Sequence, residues 1–204
     1  MTSNYHIGID LGGTKIEVAV LDNQDKILFR ERLLTETHLG SEHIFNQIHT
    51  LYAKALIAIQ NKTHTLGLGT PGSISKKTHL LKNSNTLCLN SLPLQSLLED
   101  KLVHDIVIEN DANCFALAEA LMGAGKGYSA VFGVIMGTGC GGGIVFDGKI
   151  DRKSFLINFS LNLILQIIIS LIILSYLGIF FTLSFFRSRI FRRDEIDGIG
   201  YTTA

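Results

Sequence analysis

The chain has 204 residues, 47% of them hydrophobic, which is enough for one complete domain or for one domain with an appendage. Its 18 basic and 18 acidic side chains give a formal net charge of zero, so the composition predicts no general attraction to nucleic acid or anionic lipid. The three cysteines, Cys88, Cys114 and Cys140, fit neither a disulfide framework nor a zinc-ligand spacing, and they favour a reducing, cytoplasmic setting. The N-terminus lacks the basic and apolar regions of a signal peptide, so we expect no secretion.

The first sixty residues predict three strands followed by a helix. Residues 5–22, YHIGIDLGGTKIEVAVLD, alternate apolar and polar side chains on both sides of a glycine pair, which is typical of a β-hairpin, and residues 26–34 predict a third strand. Residues 41–60 carry apolar side chains at helical spacing, with Ser41 as the predicted N-cap. We expect this helix to pack over the sheet.

Residues 63–150 continue the alternation of strands and helices. Residues 63–75 predict a short strand that enters a Pro-Gly turn, and residues 103–125 predict a strand, a polar turn and a helix that ends at glycine. Residues 128–150 predict two strands joined by a glycine-rich loop. The resulting order, βββαβ…βαββ, indicates an α/β fold with a mixed sheet.

The first motif with chemical potential is DLGGTK, residues 10–15. Gly12 and Gly13 allow positive φ angles and leave backbone N–H groups open to a phosphate. Asp10 is placed to hold Mg²⁺ or its water, and Thr14 adds a hydroxyl donor. The alternative interpretation is an ordinary tight hairpin turn, and the Walker pattern G-x-x-x-x-G-K-[ST] is absent.

The second motif is GTGCGGG, residues 137–143, which lies between two apolar segments. Each glycine in a regular strand costs roughly 0.5 to 1 kcal/mol of backbone entropy. The sequence therefore predicts either a second phosphate-binding loop or a glycine-rich bulge. Two such glycine motifs, each flanked by strands, indicate phosphate binding more specifically than either motif alone.

The third motif is ENDAN, residues 109–113, directly before a predicted helix. Asp111 at the end of an apolar strand is placed where a general base faces a cleft. Asn and Asp are also preferred helix N-caps, so a purely structural role is the alternative. Both roles fit in one turn, with Asp111 directed at a substrate and either Asn110 or Asn113 capping the helix.

Five segments together resemble one family: IGIDLGGTK, GLGTPGSIS, LKNSNTLCLN, ENDANCFALAEA and MGTGCGGGI. They resemble the ROK family of sugar kinases, in the actin-like ATPase (ribonuclease H-like) superfamily, and within it the bacterial fructokinase (mannofructokinase) branch. The resemblance covers roughly residues 5–150 and implies the N-terminal lobe of that fold. It implies ATP-dependent phosphorylation of a hexose, with fructose as the first expectation, at the 6-hydroxyl. ATP and Mg²⁺ are the implied cosubstrate and cofactor, and family members are often homodimers.

The resemblance also implies roles for individual residues. Asp111 matches the catalytic base, which takes the proton from the sugar hydroxyl. The implied contacts to the ATP phosphates and Mg²⁺ are Asp10, Gly12, Gly13, Thr14, Lys15, Gly137, Thr138, Gly139 and Gly141. The implied contacts to the sugar are Gly72, Ser73, Asn83, Asn110 and Asp111.

The composition changes after residue 150, so the sequence predicts a division into 1–150 and 151–204. No charged side chain occurs from Ser154 to Phe186, a run longer than the ~20 residues that cross a bilayer core. Residues 151–204 contain one alanine and no valine, and between Arg152 and Phe186 only Gly178 is of a type encoded by a codon beginning with G. Two hypotheses stay open: a membrane-associated helix within 155–186, or the product of a frameshift or insertion near codon 151.

Residues 151–204 also lack the family's later motifs. In relatives of this type a Glu/His element that grips the sugar and a Cys-x-Cys-Gly zinc motif follow, and neither occurs here, so the zinc ligands are missing. We therefore expect a truncated kinase with impaired activity, or alternatively a catalytically inactive, membrane-associated fragment of a sugar kinase. A ROK-type transcriptional repressor needs a helix-turn-helix, for which the residues before His6 leave no room.

Overall fold

The computed structural model of the protein describes residues 4–136 and 140–151. The helices in these residues are α1 (Ser41–Ala58), α2 (Leu94–Leu102) and α3 (Asp111–Leu121). The strands are β1 (Tyr5–Leu11), β2 (Lys15–Asp22), β3 (Ile27–Leu34), β4 (His64–Thr70), β5 (Ser73–Ile74), β6 (Leu81–Lys82), β7 (Val107–Asn110), β8 (Ala130–Met136), β9 (Cys140–Phe146) and β10 (Lys149–Ile150).

The main sheet has five strands in the order β3-β2-β1-β4-β7. The β1–β2 and β2–β3 pairs are antiparallel, whereas β4 runs parallel to both β1 and β7. In β1 the side chains of Ile7, Ile9 and Leu11 are buried and alternate with exposed positions, as a sheet with one covered face requires. The predicted α/β layout with a mixed sheet is confirmed.

Helix α1 covers the buried face of the main sheet. Its apolar stripe packs against β2 and β3, and the buried residues of the stripe are Ile44, Phe45, Ile48, Leu51, Tyr52 and Ala55. The prediction of Ser41 as the N-cap is wrong by one position, because the helix begins at Ser41 and Gly40 occupies the cap. Gly40 has a φ of 86°, a left-handed conformation that glycine adopts without strain.

Helix α3 lies against a second, three-stranded sheet in the order β10-β9-β8. Its buried face consists of Ala112, Ala116 and Ala120. A Cβ added to Gly143 would lie 2.7 Å from the Ala112 carbonyl oxygen, and one added to Gly133 would lie 2.8 Å from the Ala116 Cβ. The prediction that all of GTGCGGG forms a loop is therefore wrong, since Cys140–Gly143 belong to β9 and its glycines allow the close approach of α3.

The predicted division at residue 150 lies at the end of the described residues. Within residues 4–136 and 140–151, none of the helices combines the length and hydropathy that a bilayer crossing needs. The membrane segment 155–186 and the frameshift hypothesis concern residues outside the described ones. The boundary between 1–150 and 151–204 stays a prediction.

Candidate active site

The carboxyl ends of β1, β4 and β7 bring two acidic residues into one row. The strand register pairs Asp10 with Gly69 and Gly69 with Glu109. Neighbouring strands lie about 4.8 Å apart, so Asp10 and Glu109 are two strand spacings apart with a glycine between them. Helix α3 passes close to Gly69, because a Cβ there would be in van der Waals contact with Cys114 Sγ at 3.5 Å. Ligands of open α/β sheets bind at this end of the strands.

Asn110 and Asp111 stand at the junction of β7 and α3. Asn110 Oδ1 accepts hydrogen bonds from the amides of Ala112 (3.1 Å) and Asn113 (3.3 Å), so Asn110 is the N-cap. Asp111 Oδ1 accepts from the Ala112 amide at 2.8 Å, which fixes the carboxylate at the first turn of the helix. Of the two predicted capping residues, Asn110 caps, whereas Asn113 donates from Nδ2 to Glu109 Oε1 at 3.0 Å.

The site is electrostatically negative. Partial burial raises the pKa of Asp10 above its usual range, and the charges of Asp111 and Glu17 add to the effect. The Asp10 side chain nevertheless keeps an exposed edge. Burial also raises the pKa of Cys114 to about 11, with contributions from Glu109, Asp111 and Asp10, so this thiol stays protonated at neutral pH.

The DLGGTK segment forms the turn between β1 and β2 (Gly12–Lys15), called the phosphate turn below after the ligand that the sequence predicts for it. The Gly12 amide donates to the Lys15 carbonyl at 3.0 Å, and Gly13, Thr14 and Lys15 are exposed. Neither Gly12 nor Gly13 has a positive φ, so the prediction that they adopt that conformation is wrong. Gly12 is needed for space instead, because a Cβ there would lie 2.9 Å from the Lys15 carbonyl oxygen.

The second glycine motif is only partly described. Gly137, Thr138 and Gly139 lie outside the described residues, so their predicted contact with phosphate stays a prediction. Gly141 lies in β9, where an added Cβ would approach the Ala112 Cβ to 3.3 Å. This contact places Gly141 beside the first turn of the helix that begins with Asp111.

The residues predicted to bind the sugar lie together beside Asp111. Asn110 Nδ2 donates to the Gly72 carbonyl at 2.9 Å, and Ser73 pairs with Lys82 in the β5–β6 ribbon. Gly72 has a φ of 85°, and a Cβ there would lie 2.4 Å from the Lys82 carbonyl oxygen, so only glycine fits. Asn83 follows this contact with a φ of 57°, and its side chain is exposed.

Three features of the site carry no signal in the sequence. Cys114 lies beside Asp10, Glu109 and Asp111 because α3 passes the end of β4, and Glu109 lies there because β7 pairs with β4. Thr86 is 1% exposed, and its hydroxyl has no hydrogen-bond partner among the described residues. Its Oγ1 lies 3.9 Å from the position of a Cβ on Gly13, so Thr86 lies next to the phosphate turn.

Asp10 is the candidate metal ligand of the site. In residues 4–136 and 140–151, no three His, Cys, Asp or Glu side chains are arranged to hold a metal ion. Mg²⁺ bound with a nucleotide uses one or two carboxylates, together with water and phosphate oxygens. Asp10, whose negative charge is disfavoured by its surroundings, is a candidate for such a carboxylate.

Comparison with known proteins agrees with this architecture. The N-acetyl-D-glucosamine kinase of Histophilus somni is 39% identical over 145 residues, which are 71% of this chain and 47% of that protein. The ROK hexokinase structure from Thermus thermophilus superposes with a TM-score of 0.64 at 30% identity, covering 72% of this chain and 49% of the other. The ROK family glucokinase from Streptomyces griseus, solved with glucose and AMPPNP, gives 0.61 at 32% identity, with 72% and 46% covered.

These matches bear on two of the sequence-based expectations. The chain spans about half the length of the curated relatives it matches, and their names are those of amino-sugar kinases, which does not support the fructokinase branch. The actin-like fold is supported by the superposed structures. A family model described as the ROK family matches residues 6–153, with the phosphate turn and the Asp111 turn inside the matched range, and the chain belongs to the ROK family.

Proposed function

We propose that the site transfers the γ-phosphoryl group of ATP to a hydroxyl group of a sugar. The observation that carries the proposal is the convergence of three features at one end of the sheet: the phosphate turn, Asp10 and Asp111. Phosphoryl transfer depends chiefly on positioning and on neutralising charge, with little covalent chemistry for the protein to perform. The described residues offer backbone amides on one side and a carboxylate for the acceptor on the other.

Asp111 has the role of general base in this proposal. Its carboxylate takes the proton from the sugar hydroxyl while the hydroxyl oxygen bonds to the γ-phosphorus and the bond between that phosphorus and the β,γ-bridging oxygen breaks. The products are the sugar phosphate and ADP. The Asn110 cap and the Ala112 amide fix the carboxylate at the helix start, so little reorganisation is needed before reaction.

Asp10 is the residue that would hold Mg²⁺. A bound Mg²⁺ neutralises phosphate charge and orients the phosphates. Its positive charge would also offset the repulsion that Asp10 experiences from Asp111 and Glu17. Asp10 at the end of β1 then connects the rigid sheet to the metal, and the exposed amides of the phosphate turn follow in sequence.

The proposed acceptor is a hexose or an N-acetylhexosamine, with N-acetylglucosamine first and phosphorylation at the 6-hydroxyl. Support comes from the name of the Histophilus somni relative, while the Streptomyces griseus structure contains glucose. Fructose, the original expectation, becomes the competing substrate. Gly72, Ser73, Asn83 and Asn110 are the described residues that would line the sugar position.

Comparing sugars tests both the activity and the substrate. The 204-residue chain is incubated with ATP and Mg²⁺, and sugar-dependent ADP release is measured with N-acetylglucosamine, glucose, mannose and fructose. We expect the highest kcat/KM with N-acetylglucosamine, at least about tenfold above fructose, since a site that hydrogen-bonds a substrate group rejects an analogue that lacks it. A preference for fructose would overturn the substrate assignment. Absence of sugar-dependent ADP from chain whose circular dichroism shows it folded would overturn the activity.

A further inference from the structure

Thr35 lies behind the phosphate turn, on the side away from solvent. It directly follows β3 and is 0% exposed. Its hydroxyl donates to the Gly12 carbonyl at 2.7 Å, and its amide donates to the Thr14 carbonyl at 2.9 Å. Thr35 therefore donates hydrogen bonds to two carbonyl groups of the phosphate turn.

These bonds determine which backbone groups the turn presents to solvent. With the carbonyls of Gly12 and Thr14 held toward Thr35, the intervening peptide groups are constrained in orientation. The backbone amides of Gly13 and Thr14 donate no hydrogen bond within the described part of the chain. Successive unpaired backbone amides form a concave site for anions. Both residues are exposed, so a phosphate can reach these amides.

We propose that Thr35 is a positioning residue for nucleotide phosphate, acting through the backbone of the phosphate turn. The inference rests on the proposed function, because the anion it assigns to the turn is the phosphate chain of ATP. Thr35 itself is buried and touches no substrate. It fixes the carbonyls on one side so that the Gly13 and Thr14 amides stay directed at the phosphate before binding, and this preorganisation lowers the ordering cost of binding.

Three variants of Thr35 separate this role from general packing. Thr35→Ala removes the hydroxyl, Thr35→Val replaces it with a methyl group of similar shape, and Thr35→Ser keeps it. Thr50→Val is the matched control, since the Thr50 hydroxyl also donates to a backbone carbonyl, that of Asn46 at 2.9 Å, but on α1. The Thr35 amide bond to the Thr14 carbonyl is available in every variant.

The first readout is the Kd of the ATP–Mg²⁺ complex, measured by calorimetry on the 204-residue chain. We expect Thr35→Ala and Thr35→Val to raise Kd about tenfold, Thr35→Ser to stay within about threefold of wild type, and Thr50→Val to leave Kd unchanged. Equal Kd values for wild type, Thr35→Ala and Thr35→Val would overturn the proposal. If the wild-type chain binds no ATP, the proposed function fails, and the second readout decides the role of Thr35.

The second readout needs no ligand. Hydrogen exchange of the Gly12 amide reports whether the turn keeps its bond to the Lys15 carbonyl. We expect exchange at Gly12 to rise at least about tenfold in Thr35→Ala and Thr35→Val and to stay at the wild-type rate in Thr35→Ser. Unchanged exchange in Thr35→Ala and Thr35→Val would show that Thr35 does not hold the turn and would contradict the inference independently of nucleotide binding.

Discussion

Asp10 is a residue whose charge is unfavourable in the folded chain without a cation. Partial burial and the charges of Asp111 and Glu17 raise its pKa above the ordinary value of 3.8. A carboxyl group with a raised folded-state pKa contributes most favourably below pH 3.8, and that contribution is lost as the pH rises through the folded-state pKa. At neutral pH the residue therefore destabilises the fold slightly, which is consistent with a role in binding.

Asp10→Asn is expected to increase the free energy of unfolding at pH 7. The gain should be below about 1 kcal/mol, because solvent screens a partly exposed charge. It should shrink as the pH is lowered through the raised folded-state pKa, where the wild-type carboxyl becomes protonated, and be absent below pH 3.8. Urea unfolding at pH 7 and pH 5 measures it, with the exposed Asp100→Asn as the control. A lower stability of Asp10→Asn at pH 7 would contradict the assigned repulsion.

Thr86 is a second residue whose side chain is unfavourable in the folded chain. Its buried hydroxyl has no partner among the described residues, and an unsatisfied buried hydroxyl typically costs about 1 to 3 kcal/mol. Valine has nearly the same shape without the hydroxyl. We expect Thr86→Val to raise the free energy of unfolding by about 1 kcal/mol, measured by urea denaturation. A loss of stability would show that the hydroxyl is satisfied in solution, for example by a buried water molecule.

At the scale of elements, α3 connects the two sheets at the site. Its alanine face packs on β8 and β9, while Cys114 on the same helix faces Gly69 at the end of β4. The first residue of this helix is Asp111, so the packing of small residues along α3 determines where the proposed base lies. Glycines in β8 and β9 replace the side chains that would otherwise hold the helix away from the sheet.

Gly143→Ala tests this packing. The added methyl group would lie 2.7 Å from the Ala112 carbonyl oxygen and 2.8 Å from the Asn113 Cα, and backbone atoms at that distance cannot yield without moving the helix. We expect a loss of about 1 to 3 kcal/mol in the free energy of unfolding. Gly8→Ala is the matched control, because nothing lies within 4 Å of its added Cβ. Equal stability of the two variants would show that α3 is not packed as closely as described.

The elements differ in how well their sequences indicate them. Helix α1 has 18 residues with a sustained apolar stripe, which periodicity alone predicts. Helix α2 has nine residues and was not predicted, since so short a segment shows little more than two turns of pattern. The N-cap shift from Ser41 to Gly40 depends on a backbone angle, which side-chain pattern does not encode directly.

Site residues were predictable where a motif follows a strand. Asp10 and Asp111 stand at strand ends recognisable from apolar runs, and the parallel pairing of β1, β4 and β7 brings those ends together. The sequence pattern predicts a loop at the glycines of β9, because it does not show that α3 packs on them. Thr35 carries no motif at all, since its role arises from the β2–β3 pairing.

At the scale of the whole molecule, binding of nucleotide should stabilise the fold. A ligand that binds only the folded state stabilises it by about 2.7 kcal/mol at a concentration one hundred times its Kd. We expect ATP with Mg²⁺ to raise the Tm of the 204-residue chain and ATP with EDTA to raise it less, because the proposed contact of Asp10 is to Mg²⁺. Asp10→Asn should abolish the difference, as measured by differential scanning fluorimetry. A Tm shift in the variant that still depends on Mg²⁺ would exclude Asp10 as the ligand.

The central claim is that Asp111 is the base of a sugar kinase site, and sugar-dependent ADP release by Asp111→Asn tests it most directly. Asparagine keeps the shape and can still accept from the Ala112 amide, so the fold should survive while proton removal is lost. We predict a decrease in kcat of about 10² or more relative to wild type with N-acetylglucosamine, with Asp100→Asn unchanged. A decrease of only a few-fold, with the variant as stable as wild type, would contradict the claim.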